Sequence, residues 1–153
     1  MRAVVDTNVW ISALLNPTGL PHAVRAALRD QRFTLVTSEP LLAEVAEVLA
    51  RPRFVRRYGV TERDIADLLA LLRERAEVAA VTGTVHLCRD PDDDMVIDTA
   101  RNGRASALVT RDDDLKRDRD LVQILLAEGI QVLSVSQFVK AIAEAEGKSR
   151  SPS

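Results

Sequence analysis

Four short apolar runs, at residues 3–5, 33–36, 105–109 and 130–133, are separated by stretches whose apolar residues recur at helical spacing. That alternation constrains the chain more than any other feature. Strands joined by helices become parallel neighbours, because a crossover of helical length is what returns the chain to the same end of a sheet. The pattern therefore predicts an α/β fold, a three-layer α/β/α sandwich around a central, mainly parallel sheet. At 153 residues the chain is long enough to bury a core without disulfides or a structural metal. Residues 1–146 are expected to form one domain, and the polar end GKSRSPS, residues 147–153, a disordered tail.

Local signals place the helices. Pro17, Gly19 and Pro21 break the chain before a helix over residues 22–29, with Ala23, Ala27 and Leu28 inward. Ser38 is expected to cap a helix with Pro40 in its first turn and Leu41, Val45, Val48 and Leu49 on its apolar stripe, ending at Pro52. Thr61 and Asp64 have the spacing of a capping box ahead of Ile65, Leu68, Leu69 and Leu72. A further helix is expected to start near Asp93 or Asp94 and stop at Asn102-Gly103, and Ser136 to cap the last one.

Composition removes several classes of function. The single cysteine, Cys88, allows neither an intrachain disulfide nor a cysteine-rich zinc site and reads as a small hydrophobe in a reducing compartment. The opening MRAVVDTNVW lacks the apolar core of a signal peptide, and no run is long enough to span a bilayer, so a cytoplasmic protein with no membrane partner is expected. A formal net charge of −2 supplies no global basic field. Any nucleic-acid contact must be local. Arg51, Arg53, Arg56 and Arg57 form one basic stretch, and Arg111, Lys116, Arg117 and Arg119 a second, which is the candidate for phosphate contact. His22 and His86 have no partner at metal-ligand spacing, and Trp10 reads as a core or interface residue.

The acidic residues need a different account. Asp6 closes an apolar strand, where an unpartnered carboxylate is expensive to desolvate. Glu44 sits beside the apolar stripe of its helix, while Asp94 and Asp98, four apart, share a helix face on which like charges repel. Asp92-Asp93-Asp94 and Asp112-Asp113-Asp114 complete the set. Either aspartate run alone reads as a solvated, helix-capping turn; Asp6 and Glu44 do not. Carboxylates from several elements can together hold one or two hard cations such as Mg²⁺ or Mn²⁺. Such ions lower the pKa of water and neutralise charge on a phosphate, which gives metal-assisted phosphodiester hydrolysis as the expected reaction.

At MRAVVDTNVWISALL, SEPLLAEVAEVLARPRF, DPDDDMVIDTA and ALVTRDDDL, over roughly residues 1–140, the chain resembles the PIN-domain proteins of the VapC-like toxin group. The resemblance implies a Mg²⁺- or Mn²⁺-dependent ribonuclease acting on RNA, held inactive by a cognate antitoxin and often a homodimer. It matches Asp6, Glu44, one of Asp93 and Asp94, and Asp112 to the family's acids, with Asp94 preferred and Asp114 a frequent second position. Thr7, Asn8 and Thr110 match its small polar positions, whose other reading is turn and cap hydrogen bonding, and Asp98 an outer supporting acid. Two other functions compete. A receiver-like phosphoacceptor domain also combines strand-end aspartates, a threonine and Mg²⁺, but lacks here the expected acidic pair at the first strand. An inactive PIN-like binding subunit is the other, and the intact set of acids argues against it.

Overall fold

The computed structural model describes residues 1–88, 91–111 and 113–150, except for the side chains of residues 92, 113, 114 and 148–150. In chain order the elements are β1 (Arg2–Val5), α1 (Thr7–Leu15), α2 (Leu20–Arg29), β2 (Thr34–Thr37), α3 (Glu39–Leu49), α4 (Pro52–Tyr58) and α5 (Glu62–Arg75). There follow β3 (Ala76–Val78), α6 (Pro91–Asn102), β4 (Ala107–Val109), α7 (Asp113–Arg117), α8 (Arg119–Ala127), β5 (Gln131–Leu133) and α9 (Val135–Arg150).

The five strands form one sheet in the order β3-β2-β1-β4-β5, every pair parallel. In the β1–β4 pair Val5 stands opposite Val109, and in the β1–β2 pair Val4 stands opposite Val36. Strand side chains alternate between two faces, and each face has its own buried cluster. Ala3, Val5, Leu35 and Val109 pack with Val9 and Trp10 of α1, Leu28 of α2, Leu68 and Leu72 of α5 and Phe138 of α9. Val4, Val36 and Leu108 pack with Val96, Ile97 and Ala100 of α6 and Leu121 and Leu125 of α8. The expected α/β/α layering is therefore present, and Trp10 belongs to the core.

Several local details differ from the sequence expectation. The edge strand β3 carries no alternating apolar signal, because only Ala76 is partly covered while Glu77 and Val78 are exposed; Glu77 instead pairs with Arg2 at 2.6 Å. Ser38 occupies the cap position of α3, yet its side chain makes no capping bond and accepts one from the Thr99 hydroxyl at 2.9 Å. The last helix is capped by Ser134 rather than Ser136: Ser134 Oγ accepts from the Gln137 amide at 3.1 Å, and Gln137 Oε1 accepts from the Ser134 amide at 2.9 Å. That helix runs on through Arg150, past the expected start of the tail at Gly147. Glu146, held by the Arg32 guanidinium, ties its penultimate turn to the chain before β2. Helix α6 begins at Pro91, earlier than expected, with proline at the first position, where its missing N–H is no loss.

Candidate active site

The chain lays β2 and β3 on one side of β1, then crosses to the other side for β4 and β5. Connections diverge above β1 and β4, and in open parallel sheets this switch point opens a crevice at the carboxyl ends of the strands. Asp6 stands there. Its amide donates to the Val109 carbonyl at 2.9 Å, extending the β1–β4 ladder by one rung. Its extended backbone makes it the N-cap of α1, with Oδ1 accepting from the Thr7 amide at 2.8 Å. Oδ2 accepts from the Thr110 hydroxyl at 3.0 Å, a bond between the ends of the two strands. Asp6 as a residue is 6% exposed, and the neighbouring Thr7 Oγ1 is buried with no hydrogen-bond partner among the described residues.

Glu44 projects from the second turn of α3, half-buried between Leu41, Val45 and Val48. Helix α3 packs against both α1 and α6, which brings the elements carrying Asp6, Glu44 and the first acidic run into contact. The run itself divides by helix face. Asp94, Asp98 and Asn102 form an i, i+4, i+8 stripe that holds the chain between β3 and α6. Asp94 Oδ1 accepts from the Leu87 and Cys88 amides, both at 2.8 Å. Asp98 accepts from the Thr82 and Gly83 amides at 2.8 and 2.9 Å and from Asn102 Nδ2 at 2.7 Å, and Asn102 also donates to the Ala80 carbonyl. Asp93 is turned about 100° from this stripe, in line with Ile97 and Ala100, which pack on the sheet.

These contacts set the electrostatics. Burial works to raise the Asp94 pKa, but the Cys88 and Leu87 amides outweigh it and hold the carboxyl below its ordinary value. Burial, then the Asp94 carboxylate, pushes the Cys88 thiol up to about 12, so it stays protonated and is no nucleophile near neutral pH.

Of the remaining sequence candidates, Asn8 is exposed on α1, and Asp112 and the Asp114 side chain lie outside the described residues. Among the described residues no group of three or more His, Cys, Asp or Glu side chains is close enough to hold a metal ion. The donors that line the switch point are nevertheless hard oxygens, a buried carboxylate and two threonine hydroxyls, one of them unpartnered, which is the chemistry that Mg²⁺ or Mn²⁺ and their waters take. Thr110 also borders a cleft of about 870 Å³ lined by Ser12, Leu20, Tyr58, Arg111 and Lys116, among others. Sequence reading did not single out Tyr58, although the interleaving of arginine with aromatic residues in RPRFVRRY was available as a signal.

A PIN-domain family model matches residues 2–114, a span that runs from β1 past the end of β4. An uncharacterized protein of Methanocaldococcus jannaschii is 31% identical over 120 residues, which cover 78% of this chain and 76% of that protein. PIN domains are generally nucleases and typically use divalent metal ions. No helix among the described residues is long and apolar enough to cross a membrane. The family match spans both strands that meet at the switch point, together with Asp6, Glu44 and Thr110, and on that ground the chain belongs to the PIN-domain family.

Proposed function

We propose that this PIN-domain protein is an endoribonuclease dependent on Mg²⁺ or Mn²⁺, in which Asp6, Glu44, Asp93 and Asp112 hold the ion. The observation that carries this reading is the buried Asp6 carboxylate at the switch point, held from one side by Thr110 and from the other by the Thr7 amide. A divalent ion bound there supplies Lewis acidity, lowering the pKa of water and neutralising charge on the scissile phosphate.

The chain's own residues do the rest. Thr110 and the Thr7 amide fix the direction of the Asp6 oxygens, and a carboxylate so fixed needs no reorganisation when a ligand arrives. Thr7 Oγ1 offers a hydroxyl to a water or a phosphate oxygen in the same crevice. Asp93 is preferred over Asp94 as the third acid because it shares its helix face with Ile97 and Ala100, which pack on the sheet, whereas Asp94 lies on the stripe that holds the chain leading into α6. Asp94 and Asp98 then act as positioning residues that secure the chain leading into α6.

The test is cleavage of single-stranded RNA with Mg²⁺ or Mn²⁺, and its loss on adding EDTA. Asp6→Asn and Glu44→Gln are each expected to abolish cleavage while the circular dichroism spectrum stays that of the parent. Undiminished cleavage in both variants refutes the mechanism. The resemblance to VapC-like proteins supports a further role as the toxin of a toxin–antitoxin pair, forming a homodimer. Expression of the unmodified chain is then expected to arrest growth, and expression of the Asp6→Asn chain is not.

A further inference from the structure

The stretch RPRFVRRY, residues 51–58, places four arginines and two aromatic residues together in a chain of net charge −2. It folds as the cap and body of α4, in which no residue is buried. Tyr58 is 48% exposed and Val55 41%, and although the Tyr58 ring meets that of Phe54 at 6.3 Å between centroids, about half of its surface stays open to solvent. Arg53 lies over the Phe54 ring at 4.6 Å from its centroid and Arg57 over Tyr58 at 5.4 Å, which puts a cation beside each ring. From Tyr58 the surface continues into the cleft, which Thr110, Arg111 and Lys116 also line. Thr110 is the residue that holds Asp6, and Arg111 donates to Ser12 Oγ, which anchors its guanidinium on α1.

We infer that this cleft binds a single strand of nucleic acid, with a base stacked on Tyr58 and backbone phosphates on Arg111 and Lys116, and that it leads the strand to the Asp6 site. What happens to the strand at Asp6 rests on the nuclease reading; the binding does not. A duplex keeps its bases stacked inside and has none to offer an aromatic ring, whereas an unpaired base presents a π-face to it. An acidic peptide satisfies the cations but gives Tyr58 and the neighbouring exposed Leu20 no flat partner.

The experiment measures fluorescence anisotropy of a short fluorescein-labelled single-stranded RNA in EDTA, with the full chain carrying Asp6→Asn so that binding is read without cleavage. Adding Tyr58→Ala is expected to weaken binding about ten-fold, and Tyr58→Phe to leave it unchanged. Adding Arg111→Ala is expected to lower the slope of log K against log salt by about one. A duplex RNA of the same length is expected to bind more weakly and to ignore Tyr58. The inference is overturned if Tyr58→Ala binds like its parent, if the Arg111→Ala slope is unchanged, or if polyglutamate displaces the RNA equally from the Tyr58 variant and its parent. Circular dichroism of the Tyr58→Ala chain establishes that it is folded. Tyr58-dependent binding in a chain that cleaves nothing keeps the cleft and rejects the nuclease. Metal-dependent cleavage with Tyr58→Ala and Arg111→Ala unimpaired does the reverse.

Discussion

The Thr110 hydroxyl donates to Asp6 Oδ2 at 3.0 Å, joining two residues 104 positions apart at the ends of neighbouring strands. Asp6 is buried, so this bond is part of what makes its charge tolerable. Thr110→Val keeps the volume and removes the donor. It is expected to lower stability by about 1–3 kcal/mol in metal-free buffer and to slow cleavage, read by urea unfolding and by RNA turnover.

Asp93 and Asp94 are adjacent in sequence and lie on different faces of α6. Asp93→Asn is expected to remove cleavage, while Asp94→Ala deprives the Leu87 and Cys88 amides of their acceptor. The second variant should lose about 1–3 kcal/mol and show faster hydrogen exchange at those two amides. Normal protection in Asp94→Ala, or full activity in Asp93→Asn, contradicts the division.

The capping box of α5 makes a pH prediction. The Thr61 amide, donating to Asp64 Oδ2 at 2.9 Å, and then the Thr61 hydroxyl hold the Asp64 carboxyl below its ordinary value of 3.8. A carboxyl depressed by folding stabilises the native state above that value, and the contribution disappears as pH falls through the lower, folded pKa. Asp64→Asn, which keeps the shape and removes the charge, should melt earlier near neutral pH and converge on the parent in strong acid, where the parent carboxyl is uncharged as well, as thermal scans across that range would show.

Gly103 follows α6 with no room for a side chain. A Cβ there would stand 2.1 Å from Val36 Cγ1, in the buried heart of the sheet. Gly103→Ala is expected to cost about 1–3 kcal/mol by overpacking. The double variant Gly103→Ala/Val36→Ala should be more stable than the sum of the two single changes allows, because the second shortens the side chain that the first meets.

The layers of this fold are written in side-chain periodicity, and so they can be read. Val4, Val36 and Leu108 announce strands because both faces of a parallel sheet are buried, and Leu68 and Leu72 announce α5 because one face of it is. β3 escapes detection because an edge strand of three residues with Glu77 exposed has no periodicity to show. The site is half legible. Asp6 stands out as a carboxylate where none belongs without a partner, whereas the choice between Asp93 and Asp94 depends on helix rotation relative to the sheet. A run of three aspartates does not encode that rotation. The caps divide in the same way: Thr61 with Asp64 is a local pattern, but Ser38 is claimed by Thr99, sixty-one positions away.

The β1–β4 pairing at Val5 and Val109 also has a temporal meaning. The amino terminus leaves the ribosome first, yet the Asp6 oxygens are not locked until the segment around position 110 has emerged and docked beside it. A nascent or prematurely terminated chain short of that point carries the first acid without its clamp. Such a fragment has neither the neighbouring strand nor the hydroxyl donor that bury and orient the carboxylate at the end of β1 in the finished fold.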